Sequence, residues 1–274
     1  MSLIKPTGET HVNAQNDNQL SPYDITRQKV IAGGTIKSLN SILGAGRGRE
    51  YAISVLDQVR RSIGGKNDLT KCNPESIVAC MRSAAALRLS IDHRQHVHII
   101  NYGGVATLQI GYRGYLARLQ ESLPGFAAQV ECVYKGEPVT VKRDGFLETV
   151  VHERKDCFGN RSDTDIIGVY AQISYDAGTA RVSHVITMNR AEVDKVRGCA
   201  KDSSFWNKWY TEKAKVACLR RACKMHFAAV THDLDAADND NYDGSAAREE
   251  GNAKADSINE RLSGDMKVVS HEDA

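Results

Sequence analysis

Apolar side chains at Ile25, Val30, Ile31, Ile36, Leu39 and Leu43 keep a helical rhythm broken at Gly33-Gly34. The pattern predicts a kinked helix or two short ones over residues 24–43. A basic glycine run, Gly44-Ala45-Gly46-Arg47-Gly48-Arg49, precedes a helical segment over residues 50–61. Asn73 suits a cap and Pro74 the first helical turn, and Ile77, Cys80, Met81, Ala84 and Ala85 supply a stripe ending near Leu89-Ser90. Residues 96–102 and 105–110 are β-rich runs around Gly103-Gly104, a hairpin signal. Residues 112–121 read as a helix that Pro124-Gly125 closes. Strands are expected at 127–134, 139–141, 147–152, 166–175 and 179–186, the last two forming a hairpin about Asp176-Ala177-Gly178. Asn189 and Glu192 stand at the capping-box offset and open a helix to about Arg197. Ser203 or Ser204 opens a longer helix to about Val230. Hairpins framed by helices, without repeated βαβ units, give an α+β fold: antiparallel β-hairpins or a sheet packed with helices.

The helix expected after Ser204 is the most charged. With Val216 at the centre of the apolar stripe, Trp209, Leu219, Cys223, Phe227 and Val230 fall beside it. Lys213, Arg220, Arg221 and Lys224 then line one flank, and Lys208 and Lys215 the other. Residues 201–226 hold seven basic residues, beginning with Lys201, against two acidic ones. Ammonium and guanidinium groups arrayed in this way suit a phosphate backbone.

The net charge of +2 on 274 residues hides an asymmetry. Residues 233–274 carry 12 acidic and 4 basic side chains, leaving 32 basic against 22 acidic in residues 1–232. A body of +10 attracts polyanions at long range. Residues 1–23 are expected to be a flexible segment and 233–274 an acidic flexible tail, with one core of residues 24–232 between them. No apolar run approaches the length of a membrane span, and the start lacks a secretory h-region, so no membrane role and a cytoplasmic location are expected. Seven cysteines without a CxxC pair argue against a disulfide framework and a four-cysteine zinc site.

Residues 101–119, NYGGVATLQIGYRGYLARL, concentrate glycine. Gly111 and Gly114 would let a nucleic-acid backbone come close, with Arg113 on phosphate and Tyr112 on a base; Gly103 and Gly104 form the turn. Tyr102, Tyr112, Tyr115 and Trp206 are candidate stacking platforms, while Trp209 is expected in the core. His93, His96 and His98 lack a fourth ligand, so no metal is expected. The run from Gly44 to Gly48 lacks the Lys-Ser/Thr of a P-loop, and His152-Glu153 alone makes no metal clamp. Neither a cofactor nor a bond-making active site is expected.

The segments NPESIVACMRSAAALRLSID, NYGGVATLQIGYRGYLARL, VHE, IIGVYAQI and SSFWNKWYTEKAKVACLRRACK, in that order over about residues 70–230, resemble the RecT family of phage-type single-strand annealing proteins. The resemblance implies ATP-independent binding of single-stranded DNA, pairing of complementary strands into duplex, and homo-oligomeric rings or helical filaments. It also implies a phage or prophage protein in a bacterial host, with a phage exonuclease as companion and a host single-strand-binding protein as a further partner. It places Gln109, Tyr112, Arg113 and Gly114 in the family's glycine-rich segment, Trp206 and Trp209 in its aromatic signature, and Lys213, Lys215, Arg220 and Arg221 in its basic helix. After Asp92 the chain reads His93-Arg94-Gln95-His96 where the family usually turns on proline or glycine. The rival functions are a nucleic-acid-binding or assembly protein that does not anneal and, less favoured, a metal-dependent nuclease.

Overall fold

Ser21 accepts the Asp24 amide on its hydroxyl and Pro22 occupies the first turn, which starts helix α1, Pro22–Val30. The computed structural model describes residues 20–155, 158–159, 161–200 and 204–238. Helix α2, Gly33–Leu43, begins on the glycine pair that was expected to interrupt it, so the break falls at Ile31-Ala32. Helix α3, Arg47–Ser62, extends into the basic glycine run. Gly48 has to be glycine, because a Cβ there would lie 2.8 Å from Leu39 Cβ and 2.9 Å from the Asn40 amide nitrogen where α2 and α3 meet. A 3₁₀ turn at Leu69–Lys71 leads into α4, Pro74–Ala86, whose cap is Asn73 as expected.

Strands β1, Val97–Tyr102, and β2, Val105–Ile110, form a two-stranded antiparallel sheet about Gly103 and Gly104. Both glycines have positive φ, 60° and 92°, the geometry of a tight hairpin turn that side chains disfavour. The hairpin is tied to α4: the Ala106 amide donates to Ser76 Oγ at 2.9 Å and the Asn73 amide to the Gly104 carbonyl at 2.8 Å. Its inward residues Val97, Ile99, Ala106, Leu108 and Ile110 are buried. Helix α5, Tyr112–Ser122, follows directly.

A second sheet contains β3, Ala127–Tyr134; β4, Val139–Asp144; β5, Leu147–His152; β6, Ile166–Ala177; and β7, Ala180–Asn189, in the order β3-β6-β7-β5-β4. It is mixed, where antiparallel hairpins alone were expected, because β5 joins the free edge of β7 in parallel. Only Leu147↔Ser183 is in register there, and side chains reinforce the join. The Val185 amide donates to Glu148 Oε2 at 2.7 Å and Gln172 Nε2 to the Glu148 carbonyl at 3.1 Å. Helix α6, Arg190–Gly198, opens with the expected capping box of Asn189 and Glu192.

The single helix expected to run to Val230 is three: α7, Ser204–Lys208; α8, Tyr210–His226; and α9, Ala228–Ala237. Trp209 (φ −135°) and Phe227 (φ −123°) leave helical geometry and make the two breaks. Helix α8 packs against β6, β3 and β7 through Ala214, Ala217, Cys218 and Ala222, residues small enough for helix and sheet to approach closely. Cys218 Sγ sits 3.8 Å from the Val169 carbonyl and 3.6 Å from that of Ile186, and burial pushes its thiol up to about 12. One continuous apolar core runs from Val30 in α1 through the hairpin and the larger sheet to Leu234 in α9. The fold is α+β: a small antiparallel sheet and a mixed sheet, both packed with helices. No helix among the described residues is long and apolar enough to cross a membrane.

Two expected boundaries differ. Tyr23, placed in the flexible N-terminal segment, lies in α1. The chain expected to be tail from residue 233 continues as α9 to Ala237 and holds Asp238 in the protein interior.

Candidate nucleic-acid interface

Residues alternate across a strand pair, so the hairpin face opposite its buried side carries His98 and Gln109, Ile100 and Thr107, and Tyr102 and Val105 as cross-strand pairs. Gln109 Nε2 donates to Tyr102 Oη at 2.7 Å, which presents the phenol and the amide together. At the base of this face the first turn of α5 lies on the strand entrance. The Gly111 amide donates to the His96 carbonyl at 2.9 Å, and Cβ atoms at Gly111 and Gly114 would stand 2.9 Å from the Gln95 oxygen and 2.5 Å from the His96 oxygen. These two glycines therefore admit the protein's own strand. Arg113 is exposed beside them, its Nε donating to Tyr112 Oη at 3.3 Å, and Tyr112 is half-buried against the core.

Helix α8 reaches the same base. His98 is exposed, yet desolvation by surrounding atoms holds its pKa below the ordinary 6.5, helped by the charges of Lys213, Arg113 and Arg220. Lys213 Nζ lies 4.9 Å from the Phe205 ring centre, and Lys208 Nζ 5.7 Å from that of Trp209. Phe205 is 56% exposed and Trp209 44% exposed. Two accessible aromatic faces with ammonium groups against them make a platform on which bases can stack.

The aromatic assignments from sequence change here. Trp206, expected to stack on a base, is buried, with its ring 5.9 Å from that of Tyr210 in an edge-to-face contact. Trp209, expected in the core, is outside, because the helix break at this residue resets the rotation that an unbroken helix would have given it. Tyr115 is wholly buried and presents no face to a base. Its hydroxyl lies 2.8 Å from Asp235 and 2.9 Å from Asp238, its one proton shared between the two carboxylates, and burial with them raises the phenol pKa far above its ordinary value.

The cations of α8 divide in the same way. Lys215 pairs with Glu131 at 3.0 Å and Arg221 with Glu192 at 2.7 Å, both away from the hairpin. Arg220 pairs with Asp238 at 2.6 Å, and Lys224 approaches Asp238 at 3.2 Å and Asp235 at 3.7 Å. Asp238 also accepts the Ile110 amide at 3.1 Å, so the end of α9 clamps β2, α5 and α8 together. Phe205 and Asp238 were missed from sequence, and His98 was weighed there only as a metal ligand; nothing in local composition marks these roles, since each comes from partners distant in the chain. Lys201 lies outside the described residues. Among the described residues no three His, Cys, Asp or Glu side chains are grouped so as to hold a metal ion.

The family description that matches the sequence, RecT family, covers residues 52–257. The chain belongs to the RecT family. RecT proteins anneal DNA strands and are not catalysts of bond-making chemistry. The match includes the hairpin, α5 and α8, so every element of the interface described above lies within the RecT region. No curated protein matches the chain.

Proposed function

We propose that this RecT-family chain binds single-stranded DNA across the base of the β1–β2 hairpin and anneals complementary strands without ATP, in homologous recombination. One observation carries the reading. Two exposed rings, Phe205 and Trp209, each carry an ammonium group, Lys213 Nζ at 4.9 Å and Lys208 Nζ at 5.7 Å, on the helices that follow the glycine-rich segment with its exposed Arg113. Cations neutralise phosphate repulsion and rings hold bases apart, while Tyr102, Gln109 and Tyr112 meet sugar. Contacts of these types do not read sequence, so homology is tested by base pairing itself.

Annealing needs bases exposed along a length of strand, which favours a homo-oligomer, ring or helical filament, whose subunits continue the surface. A phage exonuclease that generates single strands and a host single-strand-binding protein fit as partners. Residues 24–232 together with the rest of α9 would form the annealing core, and the acidic segment beyond it a site for partners.

The test is fluorescence anisotropy on a labelled oligonucleotide, with duplex formation between complementary strands followed by energy transfer, in buffer without ATP or metal. Arg113→Ala with Lys213→Ala should weaken binding to unrelated strands equally and lower the salt slope by about 0.7 per lost contact. Unchanged affinity and slope in the folded variant would sink this interface. Binding without duplex formation would favour a passive DNA binder, and strand shortening on adding a divalent metal a nuclease.

A further inference from the structure

The segment leading into the hairpin contains the two non-glycine residues with left-handed backbone among the described residues, Arg88 and Gln95, each at φ 56°. At Arg88 this backbone ends α4, the Arg88 amide donating to the Ala85 carbonyl at 2.9 Å and the Leu89 amide to that of Ala84 at 3.0 Å, and at Gln95 it closes a turn in which the Gln95 amide donates to the Asp92 carbonyl at 3.0 Å. Between them, Leu89, Ile91 and Asp92 form one wall of an open cavity of about 590 Å³, and Leu43, Arg47 and Tyr51 from α2 and α3 form the other. That volume falls within the range of small-ligand pockets.

The lining suits a ligand that is anionic at one end and flat at the other. Leu43, Leu89 and Ile91 give an apolar floor, and Tyr51 is fixed beside it by donating its hydroxyl to the Leu89 carbonyl at 2.6 Å. Arg47, Arg88 and Arg94 stand on the rim with two carboxylates, Glu50 and Asp92. Asp92 is already held by Arg94, at 2.7 Å from Nη2 and 3.1 Å from Nε, which draws its pKa down to about 2. Arg47 is exposed, and Arg88 has 78% of its side chain in solvent with Glu121 no nearer than 3.9 Å. Helix α3 begins at this rim, its Gly48 amide bonded to Asn40 Oδ1 at 2.9 Å and Glu50 in its first turn. Arg94 on this rim is two residues before His96, whose carbonyl receives the first turn of α5 beside Arg113.

We propose that this cavity receives one nucleotide of the bound single strand, with its phosphate on Arg47 and Arg88 and its base over Leu43, Tyr51 and Ile91. The proposal rests on the single-strand reading above and extends the strand's path past Arg113. A base held here is withdrawn from its neighbours' stack, which sets a register for pairing.

Arg88→Gly separates function from folding, because glycine removes the cation and accepts the left-handed backbone. In the full chain its melting temperature should be unchanged or higher. Its affinity for a labelled oligothymidylate should fall roughly threefold to tenfold, and with Arg47→Ala added the salt slope should drop by about 0.7 for each arginine removed. An oligonucleotide carrying 5-iododeoxyuridine should photo-cross-link to Tyr51. If both variants keep wild-type affinity and slope while Arg113→Ala with Lys213→Ala weakens binding, the cavity is off the strand path and the proposal fails alone. If neither set changes binding, the single-strand reading has failed and takes the proposal with it. If the cavity variants lose oligomer mass without DNA but keep affinity per subunit, the cavity serves a second copy of the chain, which also overturns the proposal.

Discussion

Replacing Asp238 by alanine should destabilise the protein more than any other change in the segment whose composition suggests a tail. The carboxylate is wholly buried, 2.6 Å from Arg220, whose own side chain is 11% exposed. It also accepts the Ile110 amide at 3.1 Å and the Tyr115 hydroxyl at 2.9 Å. Breaking a buried ion pair by removing one member costs about 3–5 kcal/mol. Tyr115 keeps Asp235 as an acceptor, so its share of the loss is small. Asp238→Asn retains acceptor oxygen but not charge and should cost about 1–3 kcal/mol. Urea denaturation provides the assay, and at a slope of about 1–3 kcal/mol per molar the alanine variant's midpoint should fall by about 1–5 M without a change in slope. Adding Arg220→Met to Asp238→Ala should recover part of the loss, since neither charge of the pair is then buried. Removing the residues after Asp240 should leave the midpoint in place. A loss below about 0.5 kcal/mol in Asp238→Ala would refute the clamp.

Three further predictions concern the interface. Gly114→Ala places a Cβ 2.5 Å from the His96 carbonyl oxygen and 3.1 Å from Ile110 Cγ2, so it should lower stability by about 1–3 kcal/mol in thermal melts; a neutral result would mean that α5 is not seated on the hairpin as described. Trp206→Ala should cost about 3–5 kcal/mol as a core truncation, whereas Trp209→Ala should change stability little and weaken single-strand binding; the reverse assignment in paired melting and anisotropy measurements would contradict the burial pattern. The pKa values of His96 and His98 are lowered in the folded protein, so their contribution to stability is present above the ordinary 6.5 and is lost as pH falls through the folded values. A nearby phosphate reverses that bias for His98, so anisotropy from about pH 7.5 to about pH 5.5 should show tightening that His98→Gln removes. A wild-type profile no steeper than that of the variant would take His98 out of the contact.

The elements with local punctuation were legible in the sequence. Asn73-Pro74 and the Asn189/Glu192 box start helices where expected, and Gly103-Gly104 and Gly178 turn their hairpins. The phase of α8 was not legible. A wheel centred on large apolar residues puts Val216 inside, but the residues that meet the sheet are Ala214, Ala217, Cys218 and Ala222, chosen for smallness, and Val216 is only half-buried. Hydrophobicity ranks side chains by the water they displace and does not register a helix packed close through alanine. The break at Trp209 is equally silent, since neither glycine nor proline marks it. Asp235 and Asp238 were read as tail because an acidic composition predicts a solvated chain; their partners Tyr115 and Arg220 lie on other helices, and charge counting does not reveal pairing.

That pairing bears on how a single strand is held. A body with a surplus of ten positive charges suggests many phosphate contacts per subunit. Yet Lys215, Arg220, Arg221 and Lys224 on α8 each have a carboxylate within 3.2 Å. A cation already balanced by a carboxylate gains little by exchanging it for phosphate, and for Arg220 the exchange would open a buried site. Under the proposed reading, strand contact therefore falls chiefly to Arg113, Lys213, Lys208 and the exposed rings, joined by Arg47 and Arg88 at the cavity, still a small set for one subunit. Weak contact per subunit suits annealing, because a strand gripped tightly by each protomer could not shift in search of its complement. Retention of the paired product then comes from many subunits acting on one linked chain, where each further contact is made at high effective concentration.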